Sequence, residues 1–183
     1  MIVTPAAPRL ETARLILRGW RAGDVEAYAA MLADPATARF ITRGGRPCDA
    51  RRTWAEAAFL VGHWQLLGYG MFVVEERETG AFAGRVGALQ PEGWPGFEIG
   101  WAIAAEATGK GYATEAARAA IDWSFANFGP ERIVSIIHDE NAASKRVAEK
   151  LGERPTGERF SPLGEPCEVW EIGREAWREG RDG

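Results

Sequence analysis

The sequence predicts an α+β fold on three observations. Strand-like segments between Tyr69 and Ile103, joined by the short turns Glu78-Thr79-Gly80 and Glu92-Gly93-Trp94-Pro95-Gly96, form a run of antiparallel strands. An alanine-rich helix from about Gly111 to Asn127 then lies between two strands, which makes a βαβ unit. The 183 residues hold no internal repeat and no linker-like stretch, so a single domain over 1–183 is expected.

The elements follow in order. Residues 1–8 read as a loose arm, and Leu15 to Trp20 as a short strand. Asp24 suits the cap of a helix to about Ala33, which Asp34-Pro35 ends. Thr42 to Pro47 is polar and glycine-bearing, hence a loop. Ala50 to Leu67 has helical spacing of apolar residues, and Gly68 is its stop. Tyr69–Glu75 and Ala81–Leu89 form a hairpin. In the strand Phe97–Ile103, Phe97, Ile99, Trp101 and Ile103 share one face, and Glu98, Gly100 and Ala102 the other. Ala113, Ala116, Ala117 and Ala120 give the long helix a small-residue face, and Gly129-Pro130 ends it. A strand at Ile133–Ile137, a helix from Asn141 to Leu151 closed by Gly152, and strands near Arg154–Arg159 and Glu168–Arg174 complete the order β-α-α-β-β-β-α-β-α-β-β. The tail, 176–183, is polar and expected to fray.

Composition narrows the function classes. Apolar residues at 46% and charged residues at 26% are ordinary globular usage, which excludes bulk disorder. A net charge of −4 does not suit a general nucleic-acid binder. No apolar run reaches membrane-spanning length and the first residues show no secretory pattern. Cys48, Cys167, His63 and His138 have no metal-ligand spacing, so no metal is expected. A cytoplasmic protein with reduced thiols is expected, free of membrane and nucleic-acid partners.

The sharpest local feature is Thr108-Gly109-Lys110-Gly111-Tyr112-Ala113-Thr114-Glu115-Ala116, between a strand and a helix. Glycines there permit a tight turn, and the free N–H groups of a helix start favour an anion such as a diphosphate. A plain tight turn is an equal reading of the glycines. Two nucleotide motifs fail: a Walker A would need glycine at Ala104, and a GxGxxG from Gly109 would need glycine at Thr114. The second feature is Asn141 to Gly152, where Asn141 can cap the Ser144 N–H and Ala143, Val147 and Leu151 make an apolar stripe. By itself it suits a capped structural helix.

With Leu10–Arg18 and Phe97-Glu98-Ile99-Gly100-Trp101, these segments resemble, in the right order, the GNAT superfamily of N-acetyltransferases, and within it the RimJ/RimL-like branch that acetylates ribosomal proteins. The likeness covers about residues 9–175. It implies a mixed, mostly antiparallel sheet of six to seven strands with flanking helices and a splayed central strand pair. It implies direct transfer of acetyl from acetyl-CoA, as co-substrate, to a primary amine in a ternary complex. The CoA diphosphate would rest on backbone N–H groups of Gly109, Lys110, Gly111, Tyr112, Ala113 and Thr114. The pantetheine arm would add to the edge of the Phe97–Ile103 strand at Trp101 and Ile103, with Asn141 and Ser144 facing the thiol end. The acceptor would be a small-molecule amine or a protein N-terminus, and the protein a monomer or homodimer. The sequence departs from the pattern at Glu106, where the superfamily favours Gln or Arg and where a solvent-facing side chain is expected. It departs again at Glu153, where the branch often has an aromatic, and in having no tyrosine between Ile133 and Gly183 to serve as general acid.

The chemistry itself asks for a base, because the attacking amine must lose a proton. Glu98 is the candidate, lying opposite Phe97 and Ile99 on its strand; a carboxylate pairing with arginine or solvent is the plainer reading. A backbone N–H near Ile103 would meet the oxyanion, and Ser144 or water would protonate the thiolate. His63 reads as core or boundary packing and His138 as a surface or hydrogen-bonded residue. Trp54, Trp64, Trp101 and Trp123 are expected in the core; Trp20 and Trp94 could line an acceptor pocket. Arg43, Arg46, Arg51 and Arg52 make a solvated face or guide an acidic acceptor or the 3′-phosphate of CoA. Two rivals remain: a non-catalytic acyl-CoA sensor on the same scaffold, and a nucleotide-phosphate binder using the glycine turn.

Overall fold

A computed structural model describes residues 7–162 and 164–182; most of the expected arm, 1–6, and the last residue of the tail lie outside them. The strands are β1 (Leu10–Glu11), β2 (Leu15–Arg18), β3 (Met71–Glu76), β4 (Phe82–Leu89), β5 (Glu98–Ile103), β6 (Arg132–His138), β7 (Arg154–Phe160) and β8 (Cys167–Gly173). The helices are α1 (Asp24–Ala33), α2 (Pro35–Ile41), α3 (Ala50–Leu67), α4 (Tyr112–Asn127), α5 (Ala142–Leu151) and α6 (Arg174–Asp182). The strands form one sheet in the order β1-β2-β3-β4-β5-β6-β8-β7. It has eight strands rather than six to seven, because Leu10 and Glu11 pair with Leu17 and Ile16.

The sheet is two antiparallel halves joined at one point. β5 pairs with β4 through six residues, and β6 with β8 through seven. Between β5 and β6, the one parallel contact, the register is a single pair, Glu98 with Val134. Beyond that pair no residue of β5 is bridged to β6 among the described residues, so the two strands part after Glu98. The expected splay is present.

Helices cover both faces. On one, Tyr28, Met31, Leu32, Ala57 and Leu60 of α1 and α3 pack on Met71, Leu89 and Ala102. On the other, Ala116, Ala117, Ala120 and Ile121 of α4 pack on Leu17, Phe72, Val86, Ile99 and Ile133. The small alanines let α4 lie close to the sheet.

Three expectations are corrected. Asp34-Pro35 ends α1 but also starts α2: the Asp34 carboxylate accepts from the Thr37 N–H at 3.0 Å, and proline is favoured where its missing N–H costs nothing. The tail is helical, because Trp177 is buried and its Nε1 donates to Asp122 Oδ1 at 2.8 Å. Trp54 is 65% exposed rather than core; its neighbours Thr53 and Ala57 take the inward face of α3.

Candidate active site

The turn before α4 is made by two glycines. Gly109 has φ +76° and Gly111 φ +81°, a region costly for residues with a Cβ. Among the described residues no side chain caps the start of α4, so its first N–H groups are unclaimed by a cap. The turn is held from outside. Arg14 Nη1 donates to the Lys110 carbonyl at 2.9 Å, and its guanidinium lies 4.9 Å from the centre of the Tyr112 ring. Glu115, in the first turn of α4, accepts from Thr12 Oγ1 at 2.6 Å and Arg14 Nε at 2.7 Å. These donors hold its carboxyl below the usual range although partial burial opposes them, and the arginine offsets a negative charge that would repel an anion here. Lys110 Nζ is directed to Glu76 at 2.8 Å. Glu106 is exposed, as expected.

The edge of β5 toward β6 is the next feature. The Ala104 N–H bonds the Ala83 carbonyl on the β4 side, and the Phe97 carbonyl accepts from the Val134 N–H on the β6 side. By alternation, the main-chain groups of Ile99, Trp101 and Ile103 face β6. Ile99 O receives the Ser135 hydroxyl at 2.9 Å; among the described residues Trp101 and Ile103 have no strand partner on that edge.

At the vertex opens a cavity of about 500 Å³, lined by Glu98, Trp101, Ser135, His138, Asn141 and Ser144 with apolar side chains from α2, α3 and the 91–94 loop. Glu98 is buried; desolvation pushes its pKa up to about 7, although a hydrogen bond from Trp94 Nε1 and the charge of Arg85 pull the other way. Asn141 Oδ1 caps α5 by accepting from the Ser144 N–H at 3.1 Å. Ser144 Oγ accepts from Trp101 Nε1 at 3.2 Å, which leaves the hydroxyl hydrogen pointing elsewhere.

The cavity thus brings together Glu98, Trp101, Asn141 and Ser144. Gly109 to Thr114 lie outside its lining, at the start of α4, and Ile103 lies further along the free edge. Trp94 lines the cavity, whereas Trp20 sits by a separate hollow with Arg18 and Trp64. His63 is core: Nδ1 meets the Tyr69 carbonyl at 2.8 Å, Nε2 accepts the Gln90 N–H at 3.1 Å, and burial lowers its pKa. Both cysteines are buried, line the cavity and have their thiols raised by burial.

Sequence reasoning missed a charged set behind Glu98. Arg85 is buried, its Nε donates to Tyr28 Oη at 2.9 Å, and Tyr28 Oη donates to Glu56 Oε1 at 2.5 Å. Glu153, noted only as a departure from the family pattern, is fully buried with Oε1 3.0 Å from Ser135 Oγ. No local pattern flags Arg85. Glu153 did carry a signal, a carboxyl where an aromatic is usual. Among the described residues no group of three or more His, Cys, Asp or Glu could hold a metal ion, and no helix is long and apolar enough to cross a membrane.

Comparison with known proteins gives a consistent result. The family model described as an acetyltransferase (GNAT) domain matches residues 14–154. YkkB of Bacillus subtilis (strain 168) is 40% identical over 89 residues, 46% of this chain and 52% of that protein. The chain spans about half the length or less of the curated relatives it matches. An acetyltransferase structure from Agrobacterium tumefaciens str. C58 superposes with a TM-score of 0.82 at 29% identity, covering 95% of this chain and 99% of that one. Mycobacterium smegmatis RimJ in complex with CoA-disulfide shares the fold, with a TM-score of 0.71 at 22% identity over 99% and 96% of the two chains.

Proposed function

This chain belongs to the GNAT acetyltransferase family, and on that premise we propose that it moves an acetyl group from acetyl-CoA to a primary amine by direct transfer, as one catalytic domain. The carrying observation is the single pair, Glu98 with Val134, between β5 and β6. It leaves a free main-chain edge beside a buried carboxyl. A peptide-like pantetheine arm can pair with the Trp101 and Ile103 main chain as a further strand would. The uncapped start of α4, from Gly109 to Thr114, suits its diphosphate.

Glu98 takes the proton of the acceptor ammonium. Its pKa of about 7 suits a base near neutral pH, against about 8 for an α-amino group and about 10.4 for a lysine. The amine nitrogen attacks the thioester carbonyl, and the oxyanion formed is met by the Trp101 main-chain N–H on the free edge of β5, where Trp101 lines the cavity, rather than by one near Ile103, which lies outside it. The C–S bond then breaks; the attacking nitrogen sheds its second proton through Ser144 or water, which passes one on to the departing thiolate and is left neutral. The acceptor is a small-molecule amine or a protein N-terminus whose side chain enters the cavity. Arg43 and Arg52 line its mouth and make no ion pair among the described residues, which favours an acceptor carrying an acidic group.

The test is thiol release on mixing the protein and acetyl-CoA with a panel of amines and peptide N-termini. Release with acetylated product is expected, fastest for acidic acceptors. Saturable CoA binding with no transfer to any amine would make the protein a sensor. Tight ATP binding undisturbed by CoA would overturn the reading.

A further inference from the structure

Glu153 occupies a place that the proposed reaction does not use. Gly152, at φ +84°, ends α5, and the Glu153 N–H reaches back to the Ala148 carbonyl at 3.0 Å. Such an ending folds the next side chain under the last helical turn, where an apolar group normally packs. Here it is a carboxyl with 0% exposure, and its Oε2 has no hydrogen-bond partner among the described residues. The neighbouring Arg154 directs its guanidinium to the Glu153 main-chain O at 3.4 Å, and the charged side chain acting on the carboxyl is Glu98 from β5, of like sign. A lone carboxylate would be costly there.

Ser135 reports the protonation state. Its hydroxyl has one hydrogen, yet two oxygens lie within bonding distance: Ile99 O at 2.9 Å and Glu153 Oε1 at 3.0 Å. A main-chain carbonyl can only accept. Both contacts are full two-centre hydrogen bonds only when Glu153 supplies the second hydrogen; otherwise they share one. The chain then runs from the Glu153 O–H to Ser135 Oγ, and from the Ser135 O–H to Ile99 O. That carbonyl follows directly after Glu98, the last residue of β5 paired with β6.

We propose that Glu153 is a neutral carboxylic acid that acts through Ser135 as a positioning residue: together they hold the Ile99 carbonyl at the vertex and set where β5 parts from β6. The free edge at Trp101 and Ile103 begins at that point, and Glu98 is left as the carboxylate that ionises beside it. Burial, with the charge of Glu98 adding to it and the hydrogen bond with Ser135 opposing it, pushes the Glu153 pKa up to about 8, in keeping with a proton retained at neutral pH. The consequence for the edge rests on the acetyl-CoA reading; the protonation and the vertex hydrogen bonds do not.

Two ligand-free measurements and one kinetic one decide it. Infrared spectra near pH 7 should show a protonated-carboxyl C=O band that survives in Glu98→Gln and vanishes in Glu153→Gln. Without such a band the neutral acid is refuted. The Val134 amide, bonded to Phe97 O beside the vertex, should exchange faster in Ser135→Ala and at the wild-type rate in Glu153→Gln, whose amide still donates to Ser135. The KM for acetyl-CoA should rise about five- to tenfold in Ser135→Ala, the loss of about one hydrogen bond, with kcat less affected, and stay near wild type in Glu153→Gln. Unchanged exchange and KM in Ser135→Ala, or a Glu153→Gln that behaves like it, overturns the positioning role. If Ser135→Ala does not fold, Ser135→Cys, which keeps the side-chain volume and weakens the hydrogen bond to Ile99 O, takes its place. A wild-type protein that never turns over acetyl-CoA sinks the proposed function alone, since the band and the exchange rate still decide this inference.

Discussion

The turn before α4 and the cavity at Glu98 use opposite devices. The turn presents main-chain N–H groups, made available by two glycines at positive φ and braced by Arg14 and Glu115. The cavity presents side chains, their charge states altered by burial: Glu98 raised, Arg85 shared between Tyr28 and Glu56. A main-chain site depends on conformation, so it is damaged by adding a side chain. A side-chain site depends on desolvation and partners, so it is damaged by changing one polar atom.

The largest effect that would test this contrast is expected from Glu98→Gln. Loss of a base should lower kcat by about 10²- to 10⁴-fold while CoA affinity by calorimetry stays near wild type. The wild-type rate should rise with pH through about 7, and the variant should be flat. Stability should change too. Folded Glu98 keeps its proton from the ordinary 4.5 up to about 7, a window where the unfolded chain has lost it. Its contribution is therefore fully present below about 4.5 and fades as pH rises through 7. Glu98→Gln should be more stable than wild type above pH 7, by an order of 2–3 kcal/mol, and not at pH 4, checked by thermal melts.

Gly111→Asp comes next. It imposes a left-handed conformation costing about 1–2 kcal/mol and sets a negative charge at the helix start. CoA affinity should fall about a hundredfold, or about 2.7 kcal/mol, by calorimetry on protein shown to be folded. Unchanged affinity would remove the turn from the binding site.

Trp94→Phe is smaller and sharper. The Trp94 N–H favours the charged form of Glu98, so its loss should raise that pKa further and move the acid limb of the rate profile up by about one pH unit. An unmoved limb would mean that another group sets it. Lys110→Ala should change least. Its ammonium is directed to Glu76 in an exposed pair, worth at most about 1 kcal/mol, so CoA affinity should fall by less than about fivefold. A larger loss would transfer the anion's grip from main chain to side chain.

What was legible in the sequence follows from the same contrast. Gly109, Gly111 and Gly152 were readable because positive φ narrows the choice of residue, and Asn141 because a cap bonds an N–H three residues on. α2 was missed because Asp34-Pro35 serves as a stop and a start at once, and only the stop was read. Trp54 was misplaced because apolar character does not say which side of a helix meets the sheet. The Arg85–Tyr28–Glu56 set joins α1, α3 and β4 across 28 and 57 residues of chain, a separation no local window spans.

The sequence by itself determined the order of the strands and helices other than β1, α2 and α6, the glycine turn and the capped helix, because each rests on backbone preferences that act within a few residues. Tertiary structure alone decided that β5 and β6 meet at one pair, that Glu98 and Glu153 are buried, and that Ser135 stands between a carbonyl and a carboxyl. Desolvation and hydrogen bonding depend on what surrounds an atom, and those surroundings are assembled only when distant segments pack.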